Sequence, residues 1–223
     1  SCGAFKVHTK WPLTRRGLKY DRQWMIVTSN GVCMTQKSNT RLCLIKPTVD
    51  VKRNVLLLQF PYAQPVEVPL TTDENDKHTL ASVCQSKVCN DRIQGIDCGN
   101  DVAEWLSDVL CVEDLRLIRQ SSYDNRTFKH KSQNSKAQSI SLANQAQFLL
   151  INAASVDWLV RQVNDWAELV NVSREQRLSG AIDRFRGNFV IESTSPLEEL
   201  KWTYIQIGSL RLQIEGPCTR CQM

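Results

Sequence analysis

The chain has 223 residues, of which 42% are hydrophobic and 23% charged, and its net charge is +5. This composition is typical of a globular protein, and no apolar run approaches the roughly 20 residues that a membrane-spanning helix needs. The modest basic excess favours anionic ligands, but the basic residues lack the interleaved aromatic residues of a nucleic-acid stacking surface. The chain begins with serine rather than methionine and shows no signal-peptide pattern, so we expect a fragment of a longer protein.

Nine cysteines are scattered along the chain. Their odd number and irregular spacing argue against a disulfide framework and favour a reducing compartment, so we expect a cytoplasmic protein. Cys43 in "RLCLI" and Cys111 in "VLCVE" stand among apolar residues. We expect such thiols to be buried and to behave as small hydrophobic side chains.

Short strands are predicted throughout the first hundred residues. Two of them, Gln23–Thr28 and Val32–Thr35, flank Asn30 and Gly31, a pair that favours a hairpin turn because both residues tolerate positive φ. Further strands are predicted in "RLCLIKPTVD", "NVLLLQF" and "VEVPL". Short strands at this spacing indicate a barrel or a curled mixed sheet.

Helical spacing interrupts the strands twice. The stretch "GNDVAEWLSDVL" predicts a helix behind an Asn or Asp cap, and "ASVDWLVRQVNDWAELV" predicts a second helix. The residues that we expect to face inward are Val102, Trp105, Leu106 and Val109 in the first helix, and Val156, Leu159, Val160 and Val163 in the second.

The remaining segments complete a prediction of one compact α+β unit. "LRLIRQ", "FRGNFVIES", "EELKWTYIQIG" and "LRLQIEG" read as strands, and "IGS" reads as a turn. Residues 119–139 are polar, basic and nearly free of aliphatic side chains. This composition indicates a solvated loop, or else a lid that orders over an anionic ligand.

Five stretches, in this order, resemble MOSC domains: "GLKYDRQWMIV", "FLLINAASVDWL", "RFRGNFVI", "WTYIQIGSLRLQ" and "GPCTRCQ". "SNGVCMTQK", "IDCGNDVAEWLS" and "GPCTRCQM" are most similar to the eukaryotic molybdenum cofactor sulfurase branch of that family. The resemblance implies a β-rich MOSC-type barrel with a few peripheral helices. It places an N-terminal β-rich part at residues 1–115 and the MOSC core at residues 116–223.

The resemblance also implies a function. A domain of this branch binds the molybdenum cofactor (molybdopterin), which then receives sulfur from L-cysteine through a persulfide. Implied partners are a cysteine desulfurase domain of the same chain, which carries the pyridoxal phosphate, and xanthine dehydrogenase and aldehyde oxidase as recipients. Two alternatives stay open: a MOSC oxidoreductase that reduces N-hydroxylated compounds, and a carrier that binds the cofactor without turnover.

Several cationic and polar residues are candidates for binding the phosphate of such a cofactor. Arg22 precedes a predicted strand, and a guanidinium matches phosphate with two parallel hydrogen bonds. The alternative is a surface arginine that pairs with Asp21. In "RFRGN", Arg184, Arg186 and Asn188 would point to one face of a strand, and that face must then meet solvent or an anion. Members of the family resemble this stretch at Arg186 and Asn188, but they usually have proline where this chain has Gly187. Glycine is the more flexible residue, so we expect a looser backbone here.

Two serines complete the predicted set. Ser155 stands near a helix start, where it could donate to a phosphate or act as a plain N-cap. Ser1 and the cysteine after it match the end of the family's Lys-Ser-Cys opening, and the resemblance makes Ser1 a candidate cofactor ligand.

The stretch "GPCTRCQM" holds two thiols around Arg220. A zinc site would want four ligands, and a thioredoxin-like pair would want a helix after the first cysteine, so neither is favoured. A nearby cation stabilises the thiolate, the form that binds metals and attacks persulfides. By resemblance, Cys221 is the residue at molybdenum, either as its ligand or as the persulfide carrier, and Cys218 is a supporting thiol.

Overall fold

The computed structural model describes residues 2–3, 6–7, 10–71, 93–128, 137–143, 146–163 and 172–218. The chain divides into two compact units, residues 1–147 and residues 148–223, and each is described by itself. Within the described ranges, no helix combines the length and the apolar character needed to cross a membrane. The predicted boundary after residue 115, and the prediction of one compact unit, stay predictions.

The first unit consists mainly of short antiparallel strands. Its two larger described sheets have the strand orders β3-β8-β7 and β4-β5-β6. Two further antiparallel pairs, β1-β2 and β9-β10, form separate two-stranded sheets. The strands are β1 (Leu13–Thr14), β2 (Gly17–Leu18), β3 (Trp24–Val27), β4 (Lys46–Asp50), β5 (Val55–Gln59), β6 (Val66–Pro69), β7 (Gly95–Asp97), β8 (Arg116–Gln120), β9 (Thr127–Phe128) and β10 (Gln138–Ser139).

The predicted mixture of strands and helices is confirmed. In the described part of the chain, however, the sheets stay separate, and no closed barrel is formed. The predicted turn at Asn30 and Gly31 is present, with Gly31 at φ +73° and its N–H donating to the carbonyl of Thr28 at 2.8 Å. The predicted strand after this turn is wrong, because only Cys33 pairs with β3, through a single bridge to Val27.

Helix α1 (Asn100–Leu110) closes one side of the core of the first unit. Val102, Leu106 and Val109 are buried as predicted, since residues at this spacing share one face of a helix. The predicted Asn or Asp cap is wrong, because the N-cap is Gly99, which makes no side-chain cap bond. Leu110 in the last turn of α1 is also buried, and the fully buried apolar side chains from outside the helix in this core are Leu42, Ile45, Leu70 and Leu115.

The polar segment at residues 119–139 is only partly a loop. Its first two residues end β8, and Ser121, Asp124 and Arg126 are buried. Thr127–Phe128 then pairs antiparallel with Gln138–Ser139. The prediction of a solvated loop is therefore wrong for these residues, and residues 129–136 lie outside the described part.

The second unit begins with a β-α unit. Strand β11 (Leu150–Asn152) runs into helix α2 (Ala153–Arg161), and β11 pairs in parallel with β12 (Phe189–Ile191). The predicted hairpin is confirmed as β13 (Tyr204–Ile207) and β14 (Leu210–Gln213), joined at Gly208. Of the predicted inward face of α2, Val156 is buried, whereas Leu159 and Val163 are exposed.

Helix α3 (Arg174–Phe185) was not predicted, and it corrects the interpretation of "RFRGN". Its first turn is closed by a capping box, in which Ser173 and Gln176 satisfy each other's backbone N–H groups. Leu178, Ala181, Ile182 and Phe185 pack against Ile151 and Val156 in a small core. The four core positions in α3 follow the 3.6-residue spacing that is typical of one helix face.

Asp157 joins α2 to α3. Its carboxylate accepts hydrogen bonds from Arg174 at 2.8 and 3.2 Å and from Arg161 at 2.5 Å. The hydrogen bond from Arg174, followed by that from Arg161, holds the pKa of Asp157 below its ordinary value of 3.8. The carboxylate therefore links the two helices at every pH at which it is ionised.

This pairing predicts an acid-dependent contribution to stability. A carboxyl whose pKa is lower in the folded chain stabilises the fold above its unfolded pKa, and the contribution is lost as pH falls through the folded pKa. We expect Asp157→Asn to cost about 1 kcal/mol or less at pH 7, since both arginines are largely exposed, and to cost less at pH 3, below the ordinary value of 3.8. Urea unfolding at both pH values measures this, and an equal cost at both would contradict it.

Candidate functional site

Arg22 lies in the turn between β2 and β3, immediately before the strand as predicted. Its backbone adopts a left-handed conformation, with φ +49°. Its Nη1 donates to Asp21 Oδ2 at 2.6 Å, and the two side chains are 31% and 30% exposed. The contact with Asp21 is therefore present, and it leaves about a third of the guanidinium-bearing side chain accessible to a ligand.

Arg184, Arg186 and Asn188 do not share one face of a strand. Arg184 belongs to the last turn of α3, Arg186 is the left-handed C-cap at φ +53°, and β12 begins only at Phe189. The prediction is wrong because the helix continues through "DRF" and the chain reverses at Arg186. Both arginines are exposed at the C-terminal end of the helix, where the helix dipole favours positive charge.

Asn188 acts as a link between chain segments. Its backbone N–H donates to the carbonyl of Leu149 at 2.7 Å, and its Oδ1 accepts the N–H of Leu149 at 2.9 Å. The side chain therefore continues the β11-β12 pairing by one residue. This contact sets the orientation of the amide, which we predicted as a cofactor ligand.

The sequence predicts that Gly187 loosens the backbone, but the structure gives this glycine a different role, in packing. A Cβ at this position would lie 2.4 Å from Cγ1 of Ile151, which is itself 9% exposed. Glycine fits here because a Cβ would clash with the side chain of Ile151 in β11 unless that side chain shifted.

We therefore expect Gly187→Ala to destabilise the chain by about 1–3 kcal/mol, as overpacking of a core does. Gly180→Ala is the matched control, because a Cβ there meets nothing within 4 Å and Gly180 lies inside α3. That control is expected to stabilise by about 0.5–1 kcal/mol. Equal unfolding midpoints for the two variants in urea would contradict this account of Gly187.

Ser155 is neither an N-cap nor an uncommitted donor. The N-cap of α2 is Asn152, whose side chain accepts the N–H of Ala154. The hydroxyl of Ser155 lies 2.7 and 2.9 Å from the two carboxylate oxygens of Glu199, and it accepts the N–H of Leu197 at 2.7 Å. Its single proton is directed at Glu199, so a phosphate could take that proton only by breaking this contact.

Asn152 and Glu199 form the centre of a polar cluster that the sequence did not reveal. Asn152 is 2% exposed, and its Nδ2 donates to Glu199 at 2.6 Å and to the hydroxyl of Ser193 at 2.7 Å. Its Oδ1 accepts the N–H of Ser193 at 3.2 Å. An asparagine between a strand and a helix is a recognisable cap signal, but nothing in the sequence marks Glu199 as its partner.

The candidate residues thus fall into separate groups. Arg22 belongs to the first unit, and Ser155, Arg186 and Asn188 belong to the second. Ser1, Cys221 and Arg220 lie outside the described residues. Among the residues that the structure does describe, no group of three or more His, Cys, Asp or Glu side chains could hold a metal ion.

The described thiols differ strongly in accessibility. Cys43 and Cys111 are exposed, so the prediction that they are buried is wrong. Cys218 is also exposed, whereas Cys98 is partly buried beside Trp24 and Arg119. Burial, and then the charge of Asp97, raise the pKa of Cys98 to about 12. Cys98 is therefore unsuited to thiolate chemistry at neutral pH.

The donor chemistry of the described candidates fits a phosphate group. Exposed guanidinium groups at Arg186 and, in part, at Arg22 supply charge-assisted hydrogen bonds, and Asn188 supplies an amide. Ser155 fits less well because its hydroxyl already serves Glu199.

Comparison with known proteins gives matches along the whole chain. The MOSC N-terminal beta barrel domain model matches residues 1–113, and the MOSC domain model matches residues 137–223. Over its full length the chain is 48% identical to a molybdenum cofactor sulfurase of Bombyx mori, 49% identical to molybdenum cofactor sulfurase 3 of Aedes aegypti and 44% identical to that of Bos taurus. It spans 26%, 28% and 25% of these relatives, about a quarter of their length.

Proposed function

The chain belongs to the MOSC family, and from this premise we propose that it is the cofactor-binding C-terminal part of a molybdenum cofactor sulfurase. One observation carries the proposal: the whole chain aligns at 44–49% identity with proteins of that name. These relatives favour a sulfurase over an oxidoreductase that acts on N-hydroxylated compounds. The substrate of such a protein is the cofactor itself, which supplies the molybdenum that accepts sulfur.

We propose that the phosphate end of the cofactor is held by guanidinium and amide groups of this chain. Arg22 of the first unit, and Arg186 and Asn188 of the second, each have appropriate donors and are separate candidates for this role, and Ser1 and Ser155 stay predicted ligands. A guanidinium suits this task because it stays charged at every physiological pH and presents paired N–H groups. The thiolate of Cys221 is the proposed metal ligand or persulfide carrier.

In the proposed reaction, a cysteine desulfurase domain with pyridoxal phosphate, in the same longer chain, takes sulfur from L-cysteine. That domain delivers the sulfur as a persulfide, and xanthine dehydrogenase and aldehyde oxidase receive the sulfurated cofactor. The 223 residues by themselves would bind the cofactor without generating sulfur. The proposed location is the cytoplasm, in keeping with the free thiols among the described cysteines.

Arg186→Gly tests the phosphate site. Because Arg186 has φ +53°, glycine removes the cation and also relieves the left-handed backbone, whereas alanine would keep the strain. We expect pterin content, measured by fluorescence on protein from a cofactor-producing host, to fall about tenfold or more, as loss of a charge-assisted contact implies. The melting temperature should not fall.

Two comparisons make this test specific. Arg211→Ala removes an exposed guanidinium that stacks over Tyr204, 4.1 Å from the ring centroid, and it should leave pterin content unchanged. Cys221→Ala should retain pterin and lose molybdenum or its bound sulfur. Wild-type pterin content in Arg186→Gly would remove Arg186 from the site.

A further inference from the structure

Arg126 is a buried cation in the first unit. It is 7% exposed, and its Nη1 donates to the backbone carbonyls of Ser141 at 3.0 Å and Ala143 at 2.6 Å. Its own carbonyl accepts the N–H of Ile140 at 3.2 Å. Burying a guanidinium costs free energy unless hydrogen bonds compensate for it. Here those bonds fix the path of residues 140–143.

The segment that Arg126 fixes also holds Arg22. Leu142 lies between the two carbonyls that Arg126 binds, and its N–H donates to the carbonyl of Arg22 at 2.9 Å. The left-handed backbone of Arg22, at φ +49°, costs a non-glycine residue roughly 1 kcal/mol, so surrounding contacts must maintain it. The hydrogen bond from Leu142 is one such contact.

We propose that Arg126 is a positioning residue for Arg22, acting through residues 141–143; this inference rests on the proposed function, in which Arg22 binds the cofactor's phosphate. The backbone conformation of Arg22 sets the direction in which its side chain leaves the chain. The contact with Asp21, at 2.6 Å, sets the orientation of the guanidinium group. A phosphate contact needs both, because a shift of about 1 Å is enough to weaken a preorganised site. Arg126 is therefore needed for the position of Arg22 rather than for direct contact with the ligand.

A double-mutant cycle separates this role from a merely structural one. The four proteins are the wild-type chain, Arg22→Gly, Arg126→Met and the double variant, each loaded with molybdopterin in a cofactor-producing host. The rate of pterin loss on dialysis is measured by fluorescence, beside a thermal melt. Glycine at position 22 accepts the left-handed backbone, and it removes the whole side chain, including the guanidinium and its contact with Asp21.

We expect Arg126→Met to speed pterin loss about tenfold when Arg22 is present and to have no effect in the Arg22→Gly background, since residues that act through one another are not additive. The same factor in both backgrounds would overturn the positioning role while the proposed function stands. Unchanged pterin loss in Arg22→Gly would instead remove Arg22 from the proposed site, and the inference with it.

Arg126→Lys keeps a buried cation with hydrogen-bond donors and replaces Arg126→Met in the cycle if that variant does not fold. Pterin loss from Arg126→Lys should be slower than from Arg126→Met, because some bonds to the two carbonyls are restored. Equal loss from two folded variants would contradict a role that depends on those bonds.

Discussion

Cys98 is expected to react with iodoacetamide at pH 8 at least about fiftyfold more slowly than the exposed Cys43. Its pKa is raised from an ordinary 9.0 to about 12, which lowers the thiolate fraction about a thousandfold. A more basic thiolate is intrinsically more nucleophilic, and this offsets about twentyfold of that loss. Restricted access around the partly buried thiol then slows the reaction further.

Peptide-resolved mass spectrometry after timed labelling measures both thiols in one sample. Labelling in denaturant is the control, and there the two thiols should react alike because burial is lost. Equal rates in the native chain would contradict the raised pKa and the partial burial of Cys98. Slow labelling removes Cys98 from the thiols that could carry a persulfide in the proposed reaction.

Asn152→Asp is expected to destabilise the second unit by about 3–5 kcal/mol at pH 7, as leaving a buried charge uncompensated does. The substitution keeps the size of the side chain, so no cavity forms. It replaces the amide group that donates to Glu199 Oε2 at 2.6 Å by a second carboxylate oxygen. Two like charges then face each other beside a position that is 2% exposed.

The stability of the variant should also rise as pH falls, whereas the contribution of the Asp157 ion pairs to stability decreases as pH falls. Two carboxyls that repel each other have a raised pKa in the folded chain, so the Asn152→Asp variant regains stability as pH falls and the pair takes up a proton. Adding Glu199→Gln restores a donor opposite the new carboxylate and should recover most of the loss at pH 7. A double variant no more stable than Asn152→Asp would contradict this account of the cluster.

The sequence was informative where periodicity and burial agree. The helix at residues 100–110 was predicted from four apolar positions, and three of them are buried. Helix α3 carried comparable signals, namely Ser173 and Gln176 at capping-box spacing and an apolar period at 178, 181, 182 and 185. The alternating arginines at its C-terminal end also fit a strand face, and this second pattern competes with the helical period.

The environment of single side chains was less predictable. Cys43 has apolar neighbours in sequence, yet it lies on the outer side of a 3-10 helix (Thr40–Leu44) whose Leu42 is fully buried. Cys98 has no large apolar neighbour within "DCGN", yet it is partly buried. Burial of one residue depends on how its element packs, which a local window does not contain.

The candidate site shows the same limit. The position of Arg22 before a strand followed from sequence, but the hydrogen bond from Leu142 joins residues 120 positions apart. The contact of Ser155 with Glu199 spans 44 positions. Such long-range contacts are set by topology, and no motif in a single sequence marks them.

The molybdenum and pterin content of the 223-residue chain, purified from a cofactor-producing host, tests the proposed function most directly. Mass spectrometry for the metal and fluorescence for the pterin are measured on one sample, with circular dichroism to establish that the chain is folded. The proposed function predicts pterin and molybdenum at close to equal molar amounts, approaching one per chain. A folded chain that holds neither would contradict it.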